Sequence, residues 1–253
     1  MISKNRIRFI KSLRLKKHRL QEGLFVAEGP KVVGDLLEIY PAHSIVATAE
    51  WIRSHAHIHA EEIIEVSEEE LRNVSFLQHP QQVLALFPLP SSCSHTINLQ
   101  SDMALALDGI QDPGNMGTII RIADWFGIHT IYCSMETTDA YNPKVVQATM
   151  GSIARVNIVY TDLRKLISGL PLHTPVYGTM LDGESLYGQQ LAAKGLLVMG
   201  NEGNGISEEI AQMLTHRLFI PAFPSNNRKA DSLNVATATA IVCSELRRQA
   251  ALL

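Results

Sequence analysis

Three polar clusters carry the residues with chemistry in this chain, and each one follows an apolar run. They read "DGIQDPGNMGTIIR" at 108–121, "GLLVMGNEGNGIS" at 195–207 and "FIPAFPSNNRKADSLNVATATAIVCSELRR" at 219–248. In the first, glycines, a proline and Asn115 make a tight turn into a helix, and a helix N-terminus offers free N–H groups to anions. Arg121 lies one to two turns inside that helix, within reach of the turn. It is either a fixed cation for a reacting group or one half of a structural ion pair. In the second, Asn201, Glu202 and Asn204 alternate with Gly200, Gly203 and Gly205, so backbone can approach a ligand closely. Glu202 could accept from a hydroxyl or amine, or hold a basic partner, and a plain turn with Ser207 as helix cap is the alternative. In the third, Ser232 and Asn234 open a helix that Ala236, Thr237, Ala238 and Ala240 keep thin, so another backbone can pack on it. Capping alone would explain Ser232.

Other chemistries are excluded by what is missing. The chain has no GxxxxGK[ST] loop, no GxGxxG after the first strand of either half, and no GxSxG elbow. Cys93, Cys133 and Cys243 are far apart and pair with no histidine cluster. They read as reduced, inert thiols, and no metal is expected. No run approaches the ~20 apolar residues of a membrane span, and the N-terminus shows no apolar signal core. A cytoplasmic location is therefore expected.

The elements that would position the clusters alternate between strand and helix. In the first ninety residues, 23–29, 44–49, 61–67 and 82–89 read as strands. Helices are expected at 30–40 and after Ser67, whose type suits a cap for "EEELRNV". Residues 88–102 read as a linker. Beyond it, strands are expected at 103–110, 128–134, 154–160, 176–181, 195–200 and 216–222. Helices are expected at 117–127, 143–153, 161–169, 207–214 and 232–248. This alternation predicts an α/β fold with a mostly parallel sheet, preceded by a small α/β domain. The domains expected are 1–95 and 103–253. In open α/β sheets, ligands bind at the carboxyl ends of strands, where all three clusters fall.

The net charge of the 253 residues is −3, but residues 1–20 hold eight Lys or Arg and no Asp or Glu. Such a basic stretch on an acidic protein fits a phosphate-contacting element, with Lys11, Arg14, Lys16, Lys17 and Arg19 as candidates. The competing reading is a solvated amphipathic helix with Ile7, Ile10 and Leu13 turned inward.

Together, "NMGTIIRIADWFGI", "VMGNEGNGIS" and "IPA…DSLNVATATAI" resemble, in order and spacing, the three motifs of the SpoU (TrmH-type) RNA methyltransferases. The basic stretch with "GLFVAEGPKVVGDLL" resembles the substrate-binding domain often fused ahead of them. The resemblance covers nearly the whole chain. It implies a SPOUT fold with a deep trefoil knot, a homodimer, and methyl transfer from S-adenosylmethionine to a ribose 2′-hydroxyl. Ribosomal RNA is the first choice of substrate and transfer RNA the second; a base methylase or a non-catalytic assembly factor are the rival readings. By the same resemblance Asn115, Arg121, Glu202, Ser232 and Asn234 form the catalytic set. Thr179, Gly200, Asn201, Glu202, Gly203, Ile220, Pro221, Ala222, Ser232, Leu233 and Asn234 surround the cofactor. One departure is the long, glycine-free loop "AFPSNNRKAD", in which Asn226, Asn227, Arg228 and Lys229 are further candidates for RNA contact.

Overall fold

A computed structural model describes residues 2–55, 57–90, 98–223 and 232–251. Cys93 and the loop residues Asn226 to Lys229 lie outside them, as do residues 91–97 of the expected linker. The chain divides into two compact units, the first made of 1–93 and 139–154, the second of 94–138 and 155–253.

The first unit begins with α1 (Lys4–Ser12) and α2 (Lys16–Glu22). There follow β1 (Leu24–Glu28), α3 (Pro30–Leu37), β2 (Ala42–Ala47), α4 (Ala49–Ser54), β3 (Ala60–Glu65), α5 (Glu68–Val74) and β4 (Val83–Pro88). The sheet order is β1-β4-β2-β3, antiparallel except for the β2–β3 pair. Alternate side chains of a strand point to opposite faces, so a strand buried on both sides can serve two cores. All five residues of β1 are buried. Leu24 and Val26 meet Ile10 and Leu13 of the N-terminal arm and Leu71 and Val74 of α5. Phe25 and Ala27 meet Val32, Leu36 and Trp51 on the other face. The α5 terminus matches expectation: Ser67 and Glu70 form a reciprocal capping box.

The second unit starts with β5 (Met103–Asp108), α6 (Pro113–Trp125) and β6 (Thr130–Cys133). Helix α7 (Pro143–Ala148) comes next in the chain but belongs to the first unit. There Val146, Ile153 and Ala154 join the core around Phe25 and Trp51. The compact units therefore differ from the expected division at 1–95 and 103–253 in one respect: residues 139–154 pack with the first unit. The expected helix over 143–153 stops at Ala148 because Met150 and Gly151 both take positive φ, followed by a short 3₁₀ turn. The second unit resumes with β7 (Asn157–Tyr160), α8 (Leu163–Ser168), β8 (Val176–Ser185), β9 (Gly195–Gly200), α9 (Glu208–Ala211), β10 (His216–Phe219) and α10 (Val235–Ala250).

Its six strands are all parallel, in the order β10-β8-β9-β5-β6-β7. From β5 the chain winds to one side through β6 and β7, then returns to build β8, β9 and β10 on the other. The direction reverses between β5 and β9, and such a reversal opens a crevice at the strand carboxyl ends. Helix α6 starts four residues earlier than expected, because Asp112 caps it and Pro113 fits its first turn. Strand β10 ends at Phe219, ahead of Pro221, which has no N–H for a ladder. Cys133 and Cys243 are free and buried; burial pushes both thiols up, Cys243 to about 12. No helix among the described residues is long and apolar enough to cross a membrane.

Gly151 tests the composition of the first unit. Its φ is +96°, and an added Cβ would lie 2.8 Å from the Cβ of Asp35 in α3. Gly151→Ala should therefore destabilise the first unit by about 2 kcal/mol or more. Thermal melting should show a drop of several degrees, and an unchanged melting temperature would remove 139–154 from that core.

Candidate active site at the strand switch

The first and second clusters follow β5 and β9, the two strands that flank the reversal. The third leads into α10. The structure joins all three through one polar chain. Asn115 Nδ2 donates to Glu202 Oε1 at 2.9 Å, and Asn115 Oδ1 accepts from Asn234 Nδ2 at 2.8 Å. Asn234 is the cap of α10, its Oδ1 accepting from the backbone N–H groups of Ala236 and Thr237. These bonds fix both amide orientations. A carboxylate only accepts, so it must face Nδ2 of Asn115; the N–H groups of α10 only donate, so they must face Oδ1 of Asn234.

Glu202 also accepts from the backbone N–H groups of Gln111 and Asp112, both at 3.3 Å. Burial pushes its carboxyl up, but the bonds from Asn115 and from three backbone N–H groups outweigh this and hold it below the usual carboxylate range. Glu202 is thus an anionic tie for the turn before α6. Asn201 is a second tie: its Nδ2 donates to Gly109 O at 2.6 Å, and its Oδ1 accepts from the N–H groups of Gly203 and Asn204. Gly200 must be glycine for its own chain, since an added Cβ would sit 2.5 Å from Gly205 O. The close approach there is made by the loop itself, which Asn201 and Gly205 close with two backbone hydrogen bonds.

Ser207 stands at the start of α9 without a capping bond; its backbone N–H donates to Asp108 Oδ2 instead. Ser232 is exposed and does not cap α10, the role taken by Asn234 two residues later. Sequence reading missed Asp108 and Asp112. The Asp-Pro pair at 112–113 is the signal that marks the second.

Arg121 sits on an exposed stripe of α6 with Gly114, Thr118 and Trp125, and Trp125 is 85% exposed. The ion-pair alternative for Arg121 has no partner among the described residues. Nor does Arg121 bond to Asn115, Glu202 or Asn234. Six residues separate it from Asn115, an axial rise of about 9 Å, and helical side chains lean back toward the N-terminus. Helix α6 is held at its far end as well. Arg247 donates to Phe126 O and Gly127 O, and Arg155 grips Asp124 in a fork.

The remaining candidates lie on or just past neighbouring strands. The pairing of β8 with β9 stops at Gly178, so Thr179 lies beside Met199 and Gly200, its hydroxyl 3.9 Å from the Met199 sulfur. Ile220, Pro221 and Ala222 continue past the end of β10, the neighbour of β8. Leu233 is about half exposed, as Ser232 is exposed, and neither is tied into this group.

The basic arm belongs to the first unit, and its five candidates divide. Arg14, Lys16 and Lys17 are exposed. Lys11 instead donates to Ser75 O and lies over the Phe76 ring, and burial lowers its ammonium from the usual range. Arg19 is 2% exposed and paired with Asp139, so it is withdrawn from direct RNA contact. Ile10 and Leu13 are buried beneath the arm, as the amphipathic reading expected. Lys4 and Arg8, which that reading passed over, are exposed too.

The SpoU rRNA methylase family matches residues 102–244, more than half of the chain. The chain belongs to that family. Residues 4–85 match an MRM3-like substrate-binding domain. A solved structure described as a TrmH-family RNA methyltransferase from Porphyromonas gingivalis is 42% identical. It covers 98% of this chain and 99% of its own, with a TM-score of 0.87. An AdoMet-bound rRNA methyltransferase from Sinorhizobium meliloti is 32% identical over 98% of this chain and 96% of its own, with a TM-score of 0.84. The 23S rRNA (guanosine(2553)-2′-O)-methyltransferase of Bacillus subtilis is 29% identical, covering 94% of each chain. The SpoU/TrmH α/β fold expected from the motifs is the fold of this SpoU member.

The Glu202 tie has a pH signature. A group whose folded pKa is depressed stabilises fully above its ordinary value, here 4.5, and loses that contribution as pH falls through the folded value. Glu202→Gln should cost about 1 kcal/mol near neutral pH, a figure already discounted for solvent screening. The gap in melting temperature from the parent should close below pH ~4.5. A gap that persists at pH 3 would mean that the carboxylate charge is not what holds the turn.

Proposed function

We propose that this SpoU protein transfers a methyl group from S-adenosylmethionine to a ribose 2′-hydroxyl of ribosomal RNA. The observation that carries this reading is the Glu202–Asn115–Asn234 chain, which draws three distant motifs to one strand-end crevice. The names of the relatives, with ribosomal RNA, 2′-O-methylation and a bound AdoMet among them, point the same way.

The cofactor supplies an activated methyl group on sulfur. Thr179, Gly200, Asn201, Glu202, Gly203, Ile220 to Ala222 and Ser232 to Asn234 are the residues proposed to hold it. The rest falls to alignment and electrostatics. Asn115 and Asn234 keep the turn and the α10 N-terminus in register, and alignment of reacting atoms is a large part of such catalysis. Arg121 is the cation for the developing 2′-oxyanion and the adjacent phosphate. A guanidinium stays protonated at neutral pH, so it stabilises negative charge, and the hydroxyl proton passes to solvent water. We further propose a homodimer, which the family resemblance implies, and RNA contact through the first unit.

Incubating protein-free ribosomal RNA with labelled S-adenosylmethionine tests the reaction. The label should appear in a 2′-O-methylated nucleoside, and label on a base would overturn the ribose assignment. Arg121→Ala should lower single-turnover methylation by about a hundred- to a thousand-fold with cofactor affinity retained. Arg121→Lys should recover little, because an ammonium lacks the planar fork. Normal turnover in a folded Arg121→Ala protein would remove Arg121 from the chemistry.

Electrostatic contact by the arm predicts a salt effect. Changing Arg14, Lys16 and Lys17 to Gln should reduce the slope of log affinity against log salt by about 0.7 to 0.9 for each phosphate that the arm no longer neutralises. Filter binding across a salt series measures it, and an unchanged slope would return the arm to a purely structural role.

A further inference from the structure

Arg19 is a basic residue of the arm that points away from solvent. Its Nη1 donates to Leu13 O at 2.7 Å and to Arg14 O at 2.8 Å, and its Nη2 pairs with Asp139. Leu13 is the C-cap of α1, so these carbonyls belong to the end of a helix, where a cation is favoured and acceptors are otherwise unmatched. One guanidinium thus ties three elements: the end of α1, helix α2 that carries it, and the segment at 139–154.

The charge pattern of α2 calls for such a tie. Lys16 and Lys17 occupy its first turn, with no acidic residue there and no side-chain cap, and Glu22 closes its C-terminal end. Each of these charges opposes the helix dipole. A seven-residue helix with reversed end charges has little stability of its own. Local preference is being overridden by a tertiary contact, which is common where charge has a task beyond stability.

We propose that Arg19 is a positioning residue for RNA binding: clamped by Asp139, it fixes the corner between α1 and α2 and so holds Arg14, Lys16 and Lys17 in one arrangement. This rests on the reading that the exposed arm residues contact RNA. Without the clamp the same charges still reach phosphates, but they must be ordered on binding. Affinity falls while the number of released counterions stays the same.

The test uses the full chain with protein-free 23S ribosomal RNA as probe. Arg19→Lys keeps the charge but cannot span two carbonyls and a carboxylate. It should weaken RNA binding about tenfold, leaving the salt slope, the cofactor affinity and turnover at saturating RNA unchanged. Asp139→Asn should also weaken RNA binding, although it removes a negative charge. An account based on overall charge alone predicts the opposite sign. Melting curves accompany both variants, and if Arg19→Lys is unfolded at the assay temperature, the sign for Asp139→Asn decides. Wild-type affinity in a folded Arg19→Lys protein, a salt slope reduced by the share of about one phosphate, or tighter binding by Asp139→Asn would each overturn the clamp. Arg14→Gln with Lys17→Gln is the separate arm for the underlying reading. If that pair leaves RNA affinity unchanged, the arm does not touch RNA, whatever Arg19 does.

Discussion

The side-chain amide of Asn115 is where three stretches of chain, the outermost 119 residues apart, are tied together. It donates a hydrogen bond to Glu202 and accepts one from Asn234. Neither bond can be reversed, because a carboxylate closes one end of the chain and the N–H groups of α10 close the other. The turn before α6, the loop after β9 and the start of α10 therefore hold one another in register. With Arg247 on the carbonyls at its opposite end, α6 is pinned at both termini. A helix fixed in this way presents Arg121 from a constant position, and the catalytic role proposed for it depends on that, since a preorganised charge is not reorganised during a reaction.

Much of this was legible in the sequence. Apolar runs located every strand of the second unit, most clearly β5 and β9, which are buried on both faces and apolar along almost their whole length. The three polar clusters were readable because each interrupts such a run with residues that strand and core disfavour. Ser67 announced the start of α5 by residue type and by Glu70 three places on. The start of α6 was misjudged because Gly114 and Gly117 weigh against helix, while the Asp112–Pro113 start is a two-residue signal. The capping alternative for Ser232 does not hold for a related reason: Ser and Asn are both good caps, and the structure gives the role to Asn234.

Contacts made across long separations were not legible. Nothing near Arg19 distinguishes it from Lys16 or Lys17. Its burial depends on Asp139, a residue 120 positions away. Lys11 likewise reads as a surface charge until Ser75 and Phe76 are placed beside it. Composition established that the arm is basic, but topology divides its charges into those that face solvent and those that hold the fold. Arg19 and Arg247 do the same work in different units, each supplying a cation to the carbonyl end of a neighbouring helix.

The discontinuous first unit has a consequence for the order in which the chain acquires structure during synthesis. When the ribosome has released residues 1–93, the face of the sheet bearing Phe25, Ala47 and Phe87 lacks Val146, Ile153 and Ala154. Those residues emerge only after β5, α6 and β6 of the second unit have been made. The amino-terminal half must therefore wait with an apolar face partly uncovered, and it closes late by a contact of high sequence separation, the kind that slows folding. Vectorial synthesis thus couples the two units in time, and exposed apolar surface during that interval is where a nascent chain is most open to misassembly.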